Sequence, residues 1–526
     1  MLDLLSNTLD ILMFVGMCAG ILIGFPVVFT LAGVAVIFAV LGVSLDVFDL
    51  NLLKALAPRV FSTMTNEVLL AIPLFVLMGV ILERSRMAEE LLEEMGKLFG
   101  GVRGGLAVSV ILVGALLAAS TGIVGATVVA MAMIALPTML RYGYDKSLCC
   151  GVIASSGTLG QIIPPSTMLI ILAEVMSSGY QQAQFASGKF SIETISVGEV
   201  FAAALIPGFC IVGIYIAYVL IASFLKPSLA PAMPPRDVQP LSQTLRHLGT
   251  VLVPPIVLII AVLGSILGGI TTPTEGAAVG ALGALLLAAP RVIPGASPWP
   301  FRLTGLAVVA LLLMRQFFDL RIGRSEIPTS DAVMIGLAAL LSIVAGYGIL
   351  VALLRFLRAG VLVPTLRSTL TVTSMIFAMM IGASLFSLVF RGLGGDARVE
   401  EFLTNMPGGE TGALLFVMVV VFLLGFVMDF VEIAVIVLPI TVPILLGMGM
   451  DPIWLAVLLA INLQTSFLTP PFGFSLFYLR GATPKSISTL DIYKGVIPFV
   501  LMQIVAMLVI YLFPAVATTL PRILFE

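Results

Sequence analysis

Two polar segments lie inside long apolar stretches, and both contain a Pro-Pro pair. The first tip, as we call it, covers residues 155–166 (SSGTLGQIIPPS), and the second tip covers residues 462–473 (NLQTSFLTPPFG). Because Pro lacks a backbone N–H and restricts the residue before it, each pair should end a helix. Free carbonyl and N–H groups are tolerated at membrane depth only where they line an enclosed cavity. We therefore expect the two tips to form binding surfaces.

The polar groups of the tips suit a hard cation together with a carboxylate. Carbonyl and hydroxyl oxygens replace the water shell of Na⁺, and helix N-termini attract a carboxylate. The alternative is that these Ser and Thr side chains only bond within their own helices or pack helices together. The candidate residues for Na⁺ and substrate are Ser120, Thr121, Gly122, Ser155, Ser156, Gly157, Thr158, Gln161, Pro164, Pro165, Asp429, Asn462, Gln464, Thr465, Thr469, Pro470 and Pro471.

Asp429 is the most informative carboxylate among these candidates. It follows the uncharged run 411–428, and Glu432 lies three residues further on. A charge at membrane depth is costly and is usually functional, so we favour an ion or proton role for Asp429. The alternative is a position near the interface or a structural pairing with an arginine. The polar break at 271–276 (TTPTEG) likewise has two interpretations, a helix N-cap or a brace between two domains.

The two tips belong to an internal repeat. A gap-free shift of 306 residues also places the break at 120–125 on 426–431. Repeated halves with interrupted apolar segments in matching positions predict a secondary transporter whose site lies between the breaks. The same shift superposes Pro137 on Pro443, Gly143 on Gly449, Asp145 on Asp451, Ala154 on Ala460 and Pro164-Pro165 on Pro470-Pro471.

The composition explains which elements must position the tips. Of 526 residues, 60% are hydrophobic and only 10% are charged, the formal net charge is −2, and the mean hydropathy is +1.19. Nine uncharged runs, such as 104–140 and 452–479, each exceed the roughly 20 residues that cross a bilayer as a helix. Continuous apolar runs predict helices, whereas a barrel would show alternating polarity. We therefore predict an all-α, polytopic membrane protein.

Several classes of function are disfavoured by missing patterns. There is no P-loop, no HExxH and no GxSxG, which argues against an ATP-driven pump and against an enzyme. One histidine and four dispersed cysteines argue against a transition-metal site, so we expect no cofactor beyond Na⁺. Balanced charge argues against a nucleic-acid partner. Residues 1–10 contain no Lys or Arg, so we expect the first apolar run to stay in the lipid bilayer as a helix.

The sequence resembles the large membrane subunit of the tripartite ATP-independent periplasmic (TRAP) transporters. The resemblance covers nearly the whole chain except about 286–360, as in a subgroup with longer large subunits. The stretches that carry it are 71–79 (AIPLFVLMG), 119–127 (ASTGIVGAT), 157–166 (GTLGQIIPPS), 270–277 (ITTPTEGA), 373–384 (TSMIFAMMIGAS) and 464–473 (QTSFLTPPFG).

This resemblance implies a multi-pass subunit in a bacterial or archaeal cytoplasmic membrane. It implies Na⁺-driven uptake of a small organic acid that a periplasmic binding protein delivers. It also implies a small four-helix membrane subunit, which we expect as a separate chain. The fold implied is an inverted repeat with two re-entrant helical hairpins, in which an elevator-type transport domain moves against a scaffold.

From the repeat we expect the following division of the chain. The scaffold should comprise 1–65, 196–290 and 491–526, the transport domain 66–195 and 361–490, and two extra helices 291–360. Two other functions stay open. A standalone symporter for divalent anions shares the hairpins, but its Ser-Asn-Thr triplet occurs here only at 6–8, away from either tip. A channel or scaffold without coupled transport is the other, although two opposed hairpins do not suit a plain pore.

Overall fold

The computed structural model describes residues 8–85, 87–121, 124–234, 241–293, 295, 297–323 and 328–525, without the side chains of residues 88, 118–121, 241–248, 250 and 330. The described residues form 23 α-helices, three short 3-10 helices (Leu50–Ala55, Val68–Leu70 and Leu159–Gln161) and no strand. The prediction of an all-α protein is confirmed.

Ten helices make up the first part of the chain. They are α1 (Leu9–Ile23), α2 (Val27–Ser44), α3 (Leu56–Thr65), α4 (Ala71–Arg84), α5 (Met87–Phe99), α6 (Gly105–Thr121), α7 (Val124–Arg141), α8 (Lys146–Thr158), α9 (Thr167–Ala186) and α10 (Val197–Leu225).

Thirteen helices follow in the rest of the described chain. They are α11 (Leu241–Leu267), α12 (Pro273–Val292), α13 (Trp299–Phe317), α14 (Thr329–Arg358), α15 (Leu362–Gly392), α16 (Gly395–Thr404), α17 (Gly409–Leu424), α18 (Phe430–Ile436), α19 (Leu438–Gly447), α20 (Pro452–Leu468), α21 (Phe474–Ala482), α22 (Thr489–Leu512) and α23 (Ala515–Phe525).

Length and hydropathy identify the membrane-crossing helices. Eight described helices are long and apolar enough to cross a bilayer, and two bent helix pairs, broken by 54° and 56°, pass the same criteria as units. The second bent pair is α18 with α19. Many apolar side chains on the long helices are exposed, as expected for surfaces that face lipid.

The internal repeat is visible in the helix boundaries. Helix α7 covers 124–141, and α18 with α19 covers 430–447, which is the same span shifted by 306 residues. Asp145 caps the N-terminus of α8 and Asp451 caps that of α20. Gly143 and Gly449, just before these caps, both have a positive φ, 78° and 103°. The shared register therefore specifies matching turns in the two halves.

The two halves pack on each other through the helices that follow the tips. Helix α9, which follows the first tip, packs on α18 and α19 of the second half, and α21, which follows the second tip, packs on α7 of the first half. Each contact includes a glycine: a Cβ on Gly179 of α9 would lie 2.7 Å from Val442, and one on Gly125 of α7 would lie 2.7 Å from Tyr478. This exchange is the arrangement that a pseudo-two-fold repeat produces.

The two helices that flank the first tip, α8 and α9, pack on different partners. Helix α8 packs on α6, α7 and α22, whereas α9 packs on α18 to α20 and on α10. Helices α6 and α7 pack on each other and on α8, where Gly114 of α6 approaches Ser156 and Val128 of α7 approaches Gly157. Two short apolar stretches need not return to one side, because two half-helices joined end to end can also cross a bilayer.

Two helices, α13 and α14, lie between the two halves of the repeat. Helices α13 and α14 pack on each other, and α14 also packs on α12. Gly348 of α14 leaves room for Thr304 of α13, and the Arg355 guanidinium lies 4.8 Å from the centre of the Phe301 ring. Their outer faces are largely apolar and exposed, so these two helices lie at the periphery of the described fold.

The contact of α8 with α22 yields a prediction about stability. A Cβ on Gly151 would collide with the backbone carbonyl of Gly495, which cannot move aside as a flexible side chain could. We expect Gly151→Ala to lower the free energy of unfolding by about 1–3 kcal/mol, the usual cost of overpacking. The measurement is the melting temperature of the purified protein in detergent.

Gly213→Ala in α10 is the matched control, because nothing lies within 4 Å of its added Cβ. Equal melting temperatures for Gly151→Ala and Gly213→Ala would contradict the close approach of α8 and α22.

Candidate functional site

The first tip is buried throughout its length, residues 155–166. In the last turn of α8, the hydroxyl groups of Ser155, Ser156 and Thr158 donate to backbone carbonyls three residues earlier, at 3.1, 3.1 and 2.9 Å. Intrahelical bonding, the alternative considered above, therefore accounts for the hydroxyl protons. It does not consume the lone pairs of the hydroxyl oxygens, which can still bind a cation.

The second tip is anchored to α17. Asn462 donates to the carbonyl of Met418 at 2.8 Å, and Ser466 donates to that of Phe422 at 2.6 Å. Within the tip, Thr465 and Thr469 donate to backbone carbonyls four residues earlier, each at 2.7 Å. Ser466 was not among the predicted residues, because its equivalent in the repeat is a glycine.

The structure brings the two tips together. Helix α20 contacts both α8 and the 3-10 turn Leu159–Gln161. Gln161 and Gln464 are both 0% exposed, and neither oxygen nor nitrogen of either carboxamide has a hydrogen-bond partner in the described part of the chain. Leaving a buried polar group unpaired costs about 1–3 kcal/mol, so a group that hydrogen-bonds to these two amides would be stabilised here.

The backbone at both tips is alike. The peptide bonds Pro164-Pro165 and Pro470-Pro471 are both cis. The helices that follow, α9 and α21, begin after Ser166 and Gly473 without a side-chain cap. The N-termini of both helices are therefore directed at the tips, which suits an anionic group.

The two tips differ in accessibility. The first tip is enclosed, but Pro471 and Phe472 of the second tip are exposed and line a cavity of about 400 Å³. The cavity is also lined by Arg480, whose guanidinium donates to the carbonyl of Ile487, and by Tyr493, whose hydroxyl donates to the carbonyl of Pro471 at 2.8 Å. Arg480 escaped the sequence analysis because it lies outside both polar segments.

Asp429 has a structural partner at the start of α18. Its carboxylate accepts from the N–H of Phe430 at 2.8 Å, and Glu432 accepts from the N–H of Asp429 at 2.9 Å, which forms a capping box. Neither pairs with an arginine in the described chain. The cap uses one oxygen of Asp429, so the role of this residue in ion binding stays a prediction.

The polar break at 271–276 is a helix start, as one of its two interpretations held. Thr272 and Glu275 form a capping box at the N-terminus of α12. Thr274 also donates to the carbonyl of Glu67 at 2.6 Å, which ties this helix start to the break between α3 and α4.

Part of the candidate site lies outside the described residues. Gly122 and the side chains of Ser120 and Thr121 belong there. Gly157 is described, and it has a steric role: a Cβ at this position would collide with Val128 of α7.

The capping geometry predicts different effects for two substitutions of Asp429. Asn is as good an N-cap as Asp, so Asp429→Asn should leave the melting temperature of the detergent-purified protein nearly unchanged. Asp429→Ala should lower the free energy of unfolding by about 0.5–2 kcal/mol, because it removes the acceptor for the Phe430 N–H. Equal melting temperatures for the two variants would show that the cap contributes nothing.

Comparisons with known proteins agree with this architecture. Residues 14–516 match the family of the tripartite ATP-independent periplasmic transporter, DctM component. The chain is 27% identical over 476 residues to the C4-dicarboxylate TRAP transporter large permease protein of Pseudomonas aeruginosa, covering 90% of this chain and 91% of that protein. It is 24% identical over 508 residues to the ectoine TRAP transporter large permease protein of Halomonas elongata, covering 96% and 97%.

Among solved structures, the crystal structure of the YdaH transporter from Alcanivorax borkumensis has a TM-score of 0.54 at 14% identity, covering 90% of this chain and 89% of that one. That likeness shows the fold alone. The family match spans nearly the whole chain and is to a transporter permease, not an enzyme. The chain is therefore a multi-pass large permease subunit that belongs to the DctM component family of the tripartite ATP-independent periplasmic transporters.

Proposed function

We propose that this chain couples the entry of Na⁺ to the uptake of a small organic acid across a bacterial or archaeal cytoplasmic membrane. A periplasmic binding protein delivers the acid, and a small four-helix subunit on a separate chain completes the membrane complex. The tripartite family name supports a system of three components. The two relatives described above are named for C4-dicarboxylates and for ectoine, which all contain a carboxylate group.

The observation that carries the proposal is the pair of buried carboxamides without partners. Gln161 and Gln464 belong to different halves, yet the 3-10 turn of one contacts the helix of the other. Each amide offers an oxygen to a cation and two N–H donors to a carboxylate. A cation and an acid bound between the tips would satisfy groups that the protein leaves unpaired.

The hydroxyl and carbonyl oxygens at the tips are suitable ligands for Na⁺. Na⁺ is a hard cation, and the hydroxyl oxygens of Ser155, Ser156, Thr158 and Thr465 are available beside carbonyl oxygens of the tips. Carbonyl dipoles and hydroxyl groups can replace its water shell without a formal charge. Asp429, at the break that precedes α18, supplies a carboxylate for a second ion in the second half.

An elevator movement fits the way in which the helices divide. The tips sit among α6 to α9 and α17 to α21, and both α10 and α22 pack on this group. The moving body that we propose therefore includes α10 and α22, which the sequence-based division had assigned to the scaffold. An apolar cavity of about 490 Å³ separates the first tip and α10 from α11. Apolar contacts lack directional bonds, so such an interface can slide.

Coupling to Na⁺ can be tested in proteoliposomes that contain the complete complex. Uptake should require Na⁺ and rise with a Hill coefficient above one, because at least two ions bind per transported acid. Asp429→Asn should weaken this dependence more than Asp145→Asn or Asp451→Asn, since those two residues cap helices at the ends opposite the tips. Full uptake driven by a proton gradient in Na⁺-free medium would contradict the proposed coupling.

The buried amides provide a second test of the same site. Gln464→Leu keeps the size of the side chain but removes both hydrogen-bonding atoms, so Na⁺-dependent uptake should fall by at least about tenfold. Gln316→Leu is the matched control, since Gln316 is exposed on α13. The two rates are measured at equal amounts of reconstituted protein. A Gln464→Leu variant with the uptake rate of the control would remove Gln464 from the site.

A further inference from the structure

A polar cavity lies apart from the two tips, where α3 and α15 meet α9, α18 and α19. Its volume is about 320 Å³, which is within the range of about 300–1,000 Å³ that is typical of small-molecule sites. Two guanidinium groups line it, Arg59 from α3 and Arg391 from the C-terminal end of α15. Neither residue was singled out by the sequence, because the two lie more than 300 positions apart.

The two arginines differ in the ion pairs and hydrogen bonds that they already make. Arg391 forms an ion pair with Asp396 at 2.5 Å and donates to the side-chain oxygen of Gln182 at 3.0 Å. Arg59 is half-buried and makes no ion pair with any carboxylate in the described part of the chain. A half-buried guanidinium without an acceptor provides up to five N–H donors in a planar fork that matches a carboxylate.

The rest of the lining is consistent with an anionic ligand. One carboxylate, that of Glu174, faces the cavity, and its oxygen is held by the side-chain amide of Asn66 at 2.7 Å. Asp396 is paired with Arg391 and Glu174 is held by Asn66, so Arg59 is the guanidinium of the lining that no carboxylate of the described chain pairs. Hydroxyl groups that can donate or accept are also present, from Ser178, Ser384 and Ser387.

The position of the cavity connects it with the tips. Helix α9, which supplies Glu174 and Gln182, is the helix that leaves the first tip. Val435 of α18 also lines the cavity, and it lies about 9 Å along the helix from Asp429 at a rise of about 1.5 Å per residue. An anion in this cavity is therefore within one or two helical turns of the break that starts α18.

We propose that this cavity is a second binding site for a small carboxylate, in which Arg59 forms a bidentate contact and Arg391, already paired with Asp396, completes the lining. The site holds the acid where α3 and α15 meet the helices of the tips, before it reaches the tips or after it leaves them. This inference rests on the proposed function, because it takes the transported acid as the ligand.

The test uses succinate as the probe and a thiol placed in the cavity. Cys18 and Cys210, the two cysteines that are not buried, are replaced by Ala, and Ser384→Cys introduces a reactive thiol at the lining. The rate of maleimide labelling is measured in the detergent-purified complex without Na⁺ and without binding protein. Succinate should slow the labelling in a saturable manner, whereas potassium chloride of equal ionic strength should not.

Three variants in this background test the assignment of residues. Arg59→Gln should raise the succinate concentration for half-protection by at least about tenfold, and Arg59→Lys by less, because a lysine keeps the charge but loses the bidentate geometry. Arg358→Gln, at the exposed end of α14, is the matched control and should behave like the parent. Ser387→Leu, which fills the cavity without changing its charge, should abolish protection.

Two results would overturn the proposal. One is labelling of the parent that succinate does not slow, and the other is an Arg59→Gln variant that is protected at the same succinate concentration as the control. Because labelling is measured without Na⁺, it reports on this cavity alone. Loss of Na⁺ coupling with intact protection would refute the proposed function, whereas Na⁺-coupled uptake without protection would refute only this site.

Discussion

The fold depends on burying polar backbone groups inside a protein that is surrounded by lipid. Each tip interrupts a helix and frees groups that hydrocarbon cannot satisfy. The two halves also interlock, because α9 of the first half packs on α18 and α19 while α21 of the second half packs on α7. Glycines at 125 and 179 allow these contacts to be close. The first tip packs on α6 and α7 of its own half and also contacts α20, whereas the second tip is anchored to α17 of its own half.

Most polar groups at the tips have a hydrogen-bond partner within the described chain, and a few do not. Most hydroxyl groups of the tips bond to nearby carbonyls, and Asn462 bonds to the carbonyl of Met418. Gln161 and Gln464 are exceptions at the tips, because their fully buried amides have no partner among the described residues. A transporter must bind its ligands in one state and release them in another. Polar groups whose hydrogen bonds are made only by the ligand suit this requirement.

The halves are alike in sequence and backbone but not in exposure. The first tip is closed, while the second opens at Pro471 and Phe472 into a cavity beside Arg480. A symmetric repeat in an asymmetric state is what alternating access requires, because each half must take the open arrangement in turn. The cavity with Arg59 and Arg391 lies at another junction, between α3, α15 and the helices next to the tips. Positive side chains thus occur both beside the second tip and at this junction.

The sequence by itself determined the helical membrane class, the repeat and the position of both tips. These follow from local chemistry: uncharged runs are long enough to span, Pro-Pro ends a helix, and Asp145 and Asp451 cap the next one. The tertiary structure alone decided that α8 and α9 diverge, that Gln161 and Gln464 lack partners within the described chain, and that Arg59 and Arg391 line one cavity. Such facts depend on packing between segments far apart in the chain, and the spacing of residues along one segment carries no information about that packing.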